Sequence, residues 1–208
     1  MTNSATGQLE ARLDRDLREL LRQAPGMAVA DLPESTWARV SGVVHLLDGR
    51  VLEAPLSGRP CVYYAVRIDS MVAPKRANTL MRQRDAVPFL LEDHGHRAVI
   101  DPTHARISAE IDHASKSAAA FDATPRQRSL LATRRALFQR HMYQGSGLLY
   151  YESIIEEREP VAVLGAGIRE PDPDAAPSAY RDMATRIQLA GSQRYPIIIC
   201  DRPDHPGG

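Results

Sequence analysis

Residues 52–69 read LEAPLSGRPCVYYAVRID, a turn followed by a strand. The turn formers proline, serine and glycine come first, and CVYYAVRI at residues 61–68 is β-branched and aromatic, without glycine or proline. Because successive side chains of a strand point to opposite faces, Tyr64, Val66 and Ile68 share one apolar face. The pattern predicts a core strand near the centre of a sheet.

Further strand patterns lie on either side of this one, at short spacing and separated by turn formers. The pair Asp48-Gly49 predicts a hairpin, and Gly95 marks the turn of a second one. Residues 71–85 are polar and basic and fit a loop, or a strand that ends in a loop, and residues 115–123 fit a loop. The predicted strands are residues 37–47, 51–52, 61–68, 89–92, 97–100, 105–111, 148–156, 161–168, 185–189 and 195–200.

Two segments carry helical patterns. In residues 8–24, leucines recur at spacings of three and four, and we expect this apolar stripe either to dock on the sheet or to pair with another chain. In residues 124–143, Thr124 is an N-cap and Pro125 occupies the first helical position, with the helix expected to end before Gly145. The leucines of the first segment are Leu9, Leu13, Leu17, Leu20 and Leu21.

Short strands, hairpin signals and one inserted helix predict an α+β fold, with an antiparallel curled sheet or small barrel. The N-terminal amphipathic helix and its linker are expected over residues 1–34. A β-rich domain is expected over residues 35–201, with the helix inserted at 124–143, and a disordered tail over residues 202–208.

The composition is balanced. Lysine and arginine together number 26, and aspartate and glutamate together also number 26. The protein therefore has no overall electrostatic field that favours binding to a nucleic acid or an anionic membrane. Two cysteines, Cys61 and Cys200, are too few for a zinc framework. The sequence shows no signal peptide, and no apolar run approaches the roughly 20 residues that cross a bilayer. We therefore expect a soluble, cytoplasmic chain.

The segment PLSGRPCVYYAVRID resembles the signature of the GIDE domain, also called the BAM ("beside a membrane") domain. This family includes the membrane-adjacent region of MULAN-type mitochondrial membrane-anchored E3 ubiquitin ligases and of bacterial relatives. Later segments resemble further family motifs in the same order, and the resemblance covers most of the chain. These segments are residues 87–93 with 98–102, residues 151–157 with 160–165, and residues 187–189 with 195–199.

The resemblance implies a β-rich module that binds or signals, next to a RING finger that recruits the ubiquitin-charged enzyme in the ligases. A RING finger holds zinc with a cysteine–histidine array, which two cysteines do not provide. We therefore expect a non-catalytic GIDE-like module that engages an unidentified protein partner and cannot ligate ubiquitin alone. We predict no cofactor and no metal.

An enzyme centred on Cys61 is the alternative function. Cys61 follows Arg59 by two residues, and a nearby cation stabilises a thiolate, so a hydrolase or thiol-dependent enzyme stays open. Because Cys61 opens an apolar strand, we expect it to be buried and inert instead. His94 and His96 flank the turn glycine and are expected as solvated turn residues rather than metal ligands.

The predicted helix at residues 124–143 concentrates basic side chains without an acid, in a chain that is otherwise balanced. We expect its arginines to face solvent and form the candidate partner-binding surface. The alternatives are contact with a membrane surface or a nucleic acid, or an ordinary solvated face that pairs with Glu152, Glu156 and Glu157. The candidate residues are Arg126, Arg128, Arg134, Arg135 and Arg140.

Overall fold

The computed structural model describes residues 3–73, 76–117, 122–133, 147–172 and 185–201. Its helices and strands are, in chain order, α1 (Asn3–Gln23), β1 (Trp37–Leu46), β2 (Leu52–Glu53), β3 (Pro60–Cys61), β4 (Tyr63–Ala73), β5 (Arg76–Ala86), β6 (Phe89–Asp93), β7 (His96–Asp101), β8 (Ala105–Ser108), β9 (His113–Ser117), α2 (Pro125–Ala132), β10 (Leu148–Ile155), β11 (Pro160–Pro171), β12 (Thr185–Ala190) and β13 (Ile197–Asp201). Two short 3₁₀ helices cover Val29–Asp31 and Pro102–His104.

These elements form two compact units. The first, named the barrel unit, comprises Asp14–Val51, Ala86–Ser108 and Glu156–Gly208. The second, named the sheet unit, comprises Met1–Leu13, Leu52–Asp85 and Ala109–Ile155. The boundary between the units falls within α1, and the chain passes from one unit to the other several times.

Five strands of the barrel unit close on themselves in the order β1-β6-β7-β12-β11, and β11 pairs back to β1. The barrel closes because β1 changes partner along its length: residues 37–43 pair with β11 and residues 43–46 with β6. Near this change, a Cβ atom on Gly42 would lie 2.3 Å from the carbonyl oxygen of Glu92, so the close approach of the two strands requires glycine. The predicted α+β fold with a small barrel is confirmed.

The sheet of the barrel unit is mainly antiparallel, as predicted, but two of its strand pairs are parallel. β12 pairs with β7, and β13 pairs with β8, both in parallel. Parallel partners need a long crossover connection and leave no hairpin signal in the sequence. The sequence pattern therefore predicts the strands but not the direction of these two pairings.

The second half of α1 packs on the barrel unit. Leu21 is 2 % exposed and forms an apolar cluster with Ala162, Ile198 and Cys200, while Leu17 packs at the edge of the cluster. These contacts join the helix to β11 and β13. The prediction that the leucine stripe docks is confirmed for Leu17 and Leu21.

A polar contact reinforces this docking. The guanidinium of Arg18 donates from Nη2 to Asp201 Oδ1 at 2.8 Å and from Nε to Ser108 Oγ at 3.2 Å. Other members of the stripe, Leu13 and Leu20, are 46 % and 52 % exposed. No helix within the described ranges has both the length and the apolar character that a membrane crossing requires.

The sheet unit contains four strands in the order β5-β4-β10-β9, with β2 and β3 as a separate hairpin. β4 lies in the interior of its sheet, as predicted. Tyr64, Val66 and Ile68 are 7 %, 2 % and 0 % exposed and share one apolar cluster. Leu130 and Leu131 of α2 enter the same cluster, so α2 and the sheet form one core.

Several local predictions need correction. Asp48 and Gly49 do form a turn, with φ of 52° and 66°, but β1 pairs with β11 and β6, and β2 pairs with β3, because the chain enters the sheet unit after the turn. Residues 71–85, for which the sequence predicts a loop or a strand that ends in a loop, belong mainly to strands, because β4 runs to Ala73 and the edge strand β5 begins at Arg76. The polar side chains of β5 are compatible with a strand that has one face in solvent. Residues 115–117 belong to β9 rather than to a loop.

Candidate partner-binding surface

The first turn of α2 is fixed by a capping box between Thr124 and Gln127, and the predicted N-cap at Thr124 with Pro125 at the start of the helix is confirmed. The Gln127 N–H donates to Thr124 Oγ1 at 3.2 Å, and the Thr124 N–H donates to Gln127 Oε1 at 2.8 Å. Gln127 also donates from Nε2 to Ser115 Oγ of β9 at 3.0 Å. Two backbone donors that a helix start leaves unpaired are thereby satisfied, and the start of α2 is tied to the sheet.

The described part of α2 is amphipathic. Leu130 and Leu131 are each 6 % exposed, whereas Arg126 and Arg128 are exposed. The prediction that arginines of this helix face solvent is confirmed for these two. The extension of the helix to residue 143 lies outside the described residues, as do Arg134, Arg135 and Arg140.

Arg126 connects α2 to the hairpin of β2 and β3. Its Nη1 donates to Glu53 Oε1 at 2.6 Å, with the two side chains 46 % and 65 % exposed. A Cβ atom on Gly58 would lie 2.3 Å from Arg126 Nη2, so the guanidinium rests directly against the turn of the hairpin. Arg126 thus pairs with Glu53. It does not pair with Glu152, one of the acids expected as partners if the arginines formed an ordinary solvated face.

The hairpin turn closes through its own backbone. β2 and β3 pair Leu52 with Cys61 and Glu53 with Pro60. The Gly58 N–H donates to the Ala54 carbonyl at 2.8 Å, and the Ala54 N–H donates to the Arg59 carbonyl at 2.9 Å. Gly58 has a φ of 75°, a backbone conformation that residues other than glycine rarely adopt.

A buried carboxylate also binds the same turn through hydrogen bonds. Glu152 of β10 is 1 % exposed and accepts hydrogen bonds from the Leu56 N–H at 2.6 Å and the Ser57 N–H at 2.9 Å. Sequence reasoning assigned Glu152 only as a possible arginine partner and missed this role. The signal was present, because Glu152 alternates with Tyr150 and Ile154 on the buried face of β10, where an acid must find donors.

The turn and the helix start therefore form one surface, named the turn–helix surface, which consists of residues 53–59 and 124–129. Its positively charged side chains are Arg59, Arg126 and Arg128, and its negatively charged side chain is Glu53. Arg59 is exposed, like the two arginines of α2. The surface carries a net positive charge in a chain whose formal net charge is zero.

Both cysteines are free and buried at 1 % exposure. The sulfur of Cys61 lies 3.8 Å from the carbonyl oxygen of Leu52 within the apolar cluster of the sheet unit. Burial raises the pKa of the Cys200 thiol to about 11, although the charge of Arg18 opposes this shift. Both thiols lack the solvent access that a nucleophile requires, and the raised pKa of Cys200 also disfavours its thiolate.

The two histidines of the β6–β7 turn are not placed as metal ligands. His94 has a 95 % exposed side chain, and its Nδ1 lies 2.7 Å from Asp93 Oδ1. Burial alone would raise the pKa of Asp93, but hydrogen bonds from His94 and the Val29 N–H, with the charges of His94 and His96, hold that pKa below its usual value. Within the described ranges, no three histidine, cysteine or acidic side chains converge on a common point.

Comparison of the chain with models of known protein families, with curated proteins and with solved structures gives no match in any of the three. The resemblance to the GIDE domain therefore stays a prediction that rests on the ordered motifs. The function has to be argued from the geometry of the turn–helix surface.

Proposed function

We propose that the protein is a non-catalytic, GIDE-like binding module, which works in the cytoplasm and engages a protein partner through the turn–helix surface. The observation that carries this proposal is the way in which α2 presents its arginines. Leu130 and Leu131 anchor the helix in the core, and the capping box fixes its start, while Arg126 and Arg128 point away.

A rigid support makes such cations useful for recognition. A side chain that is already positioned loses less conformational freedom when it meets a partner, so more of the interaction energy appears as affinity. Exposed charges also steer a complementary surface during encounter. A basic surface thus favours association with an acidic partner, whereas the protein as a whole has no net charge that would attract anions in general.

The rest of the site supports binding rather than catalysis. The thiol that an enzyme would need, Cys61, is buried in the core of the sheet unit. The buried acid below the turn–helix surface, Glu152, accepts hydrogen bonds from two backbone N–H groups of the turn. Because both groups have structural neighbours that account for them, neither supports the thiol-dependent alternative.

The experiment compares the wild type with a variant that carries glutamine at Arg126 and Arg128, the two arginines of α2 in the turn–helix surface. Both tagged proteins are incubated with extract of the producing cells over a range of salt, and their melting temperatures are measured. We expect a protein that the wild type recovers at low salt to be lost from the variant, with the melting temperature unchanged. Equal recovery by the two proteins contradicts the proposal.

The control variant replaces Arg97, an exposed arginine of the barrel unit whose Nε lies 2.8 Å from Glu92 Oε2. Arg97→Gln removes the same kind of charge from an exposed pair that is far from residues 53–59 and 124–129 in the sequence. It is expected to recover the partner as the wild type does. Recovery of nucleic acid or of lipid vesicles in place of a protein would also overturn the proposal.

A further inference from the structure

Glu152 is not needed to close the turn that it holds. The turn already closes through the backbone bonds between Ala54, Gly58 and Arg59 and through the pairing of β2 with β3. Glu152 adds two further bonds, to the Leu56 and Ser57 N–H groups. These bonds fix the orientation of the tip relative to β10, which closure alone does not determine.

Placing a carboxylate at this position carries a cost. An acidic side chain at 1 % exposure has lost its hydration, and two backbone N–H groups replace only part of it. An apolar residue at this position would avoid this cost, but it would leave the Leu56 and Ser57 N–H groups without their acceptor. The carboxylate therefore satisfies two donors of the turn and ties the shape of the exposed turn to β10, as a second layer of residues supports a binding loop.

The turn lies beside two arginines and beside Glu53, an acid whose place a carboxylate of a ligand could take. Arg59 is exposed at the end of the turn, and the Arg126 guanidinium rests against Gly58, so two positive charges lie along the tip. The pair of Arg126 with Glu53 is largely exposed, and exposed pairs of this kind contribute little stability. An incoming carboxylate can therefore replace Glu53 at low cost.

We propose that the turn over residues 54–59, positioned by Glu152, is the specificity-determining part of the turn–helix surface and binds a carboxylate-rich peptide segment of the partner. This inference rests on the proposed function and adds the chemistry of the ligand and the element that selects it. Glu152 acts as a positioning residue, because it holds the turn and does not face the ligand.

The test measures binding of a fluorescein-labelled peptide of alternating glutamate and glycine by fluorescence anisotropy, over a range of salt. A peptide with glutamine in place of glutamate and a single-stranded oligonucleotide serve as comparisons. We expect the wild type to bind the glutamate peptide best, with affinity that falls as salt rises. Equal binding of the glutamine peptide, or tighter binding of the oligonucleotide, overturns the assignment of the ligand.

Variants then locate the site. Arg59→Gln is expected to weaken binding by about fivefold, which corresponds to the upper range for an exposed charge pair, while the folded state, checked by the melting temperature, is kept. Glu152→Gln is expected to weaken binding of the folded protein and to speed hydrogen exchange at the Ser57 amide. In the double variant the two losses are expected to be less than additive, because both act through the turn.

The outcomes separate this inference from the proposed function. If Arg126→Gln and Arg128→Gln lose peptide binding but Arg59→Gln and Glu152→Gln bind as the wild type does, the turn is not the selecting element and the binding module stands. If all four variants bind as the wild type does, both proposals fail. If Glu152→Gln does not fold, Arg59→Gln alone decides, with Arg97→Gln as the control for charge.

Discussion

Replacing Glu152 by glutamine tests the physical role assigned to this buried acid. Glutamine keeps one carbonyl oxygen, so one of the two backbone N–H groups retains a neutral acceptor and the other faces an amide NH₂. A hydrogen bond to a charged acceptor contributes about 1.5–3 kcal/mol and one to a neutral acceptor about 0.5–1.5 kcal/mol. Relief from burying the charge offsets part of the loss. We expect a net decrease of about 1–3 kcal/mol in the free energy of unfolding.

The assay is urea denaturation followed by circular dichroism, and the matched control is Glu53→Gln. Glu53 loses the same charge, but its side chain is 65 % exposed and its pair with Arg126 is solvated, so its change is expected to stay within about 0.5 kcal/mol. Hydrogen exchange gives a local readout, since the amides of Leu56 and Ser57 should exchange faster only in the Glu152 variant. Equal midpoints and equal exchange rates for the two variants would refute the reasoning.

Three further outcomes follow from the same structure. Leu21→Ala is expected to lower the free energy of unfolding by about 2–5 kcal/mol, because it removes the side chain that packs α1 against β11 and β13. Leu20→Ala, at an exposed position of the same helix, should have little effect. Equal midpoints of urea unfolding for the two variants would contradict this expectation. Asp93 has a lowered pKa, so its stabilising contribution is present above the ordinary value of about 4 and disappears as the pH falls through the lower folded-state pKa. Asp93→Asn should therefore lose less stability on acidification than the wild type does, and superimposable acid unfolding curves would argue against this. A thiol reagent should modify Cys61 far more slowly in the native than in the unfolded protein, and equal rates would mean that its burial is misassigned.

The parts of the fold that the sequence predicted are those with a local cause. The alternation of Tyr64, Val66 and Ile68 predicts which face of β4 is buried, because strand periodicity depends only on neighbouring residues. The N-cap at Thr124 likewise depends only on a few consecutive residues, Thr124 and Pro125 among them. The β6–β7 hairpin follows from the glycine at its turn, where Gly95 has φ 84°.

The parts that the sequence did not predict depend on distant partners. Asp48 and Gly49 have the left-handed conformations that a hairpin turn uses, but pairing is decided by strands elsewhere in the chain. The two parallel pairings have the same origin. Glu152 was missed as a member of the site because its donors, the Leu56 and Ser57 N–H groups, are far away in sequence.

Site-specific photo-cross-linking in the producing cells tests the central claim most directly, namely that the turn–helix surface contacts a protein partner. A photoreactive amino acid is placed at Ser129, an exposed position of α2, and in a separate protein at Tyr195, which is 58 % exposed in the barrel unit. We expect a discrete cross-linked protein from the Ser129 position only, which disappears when Arg126 and Arg128 are replaced by glutamine. The same products from both positions, or products from Tyr195 and none from Ser129, would contradict the account.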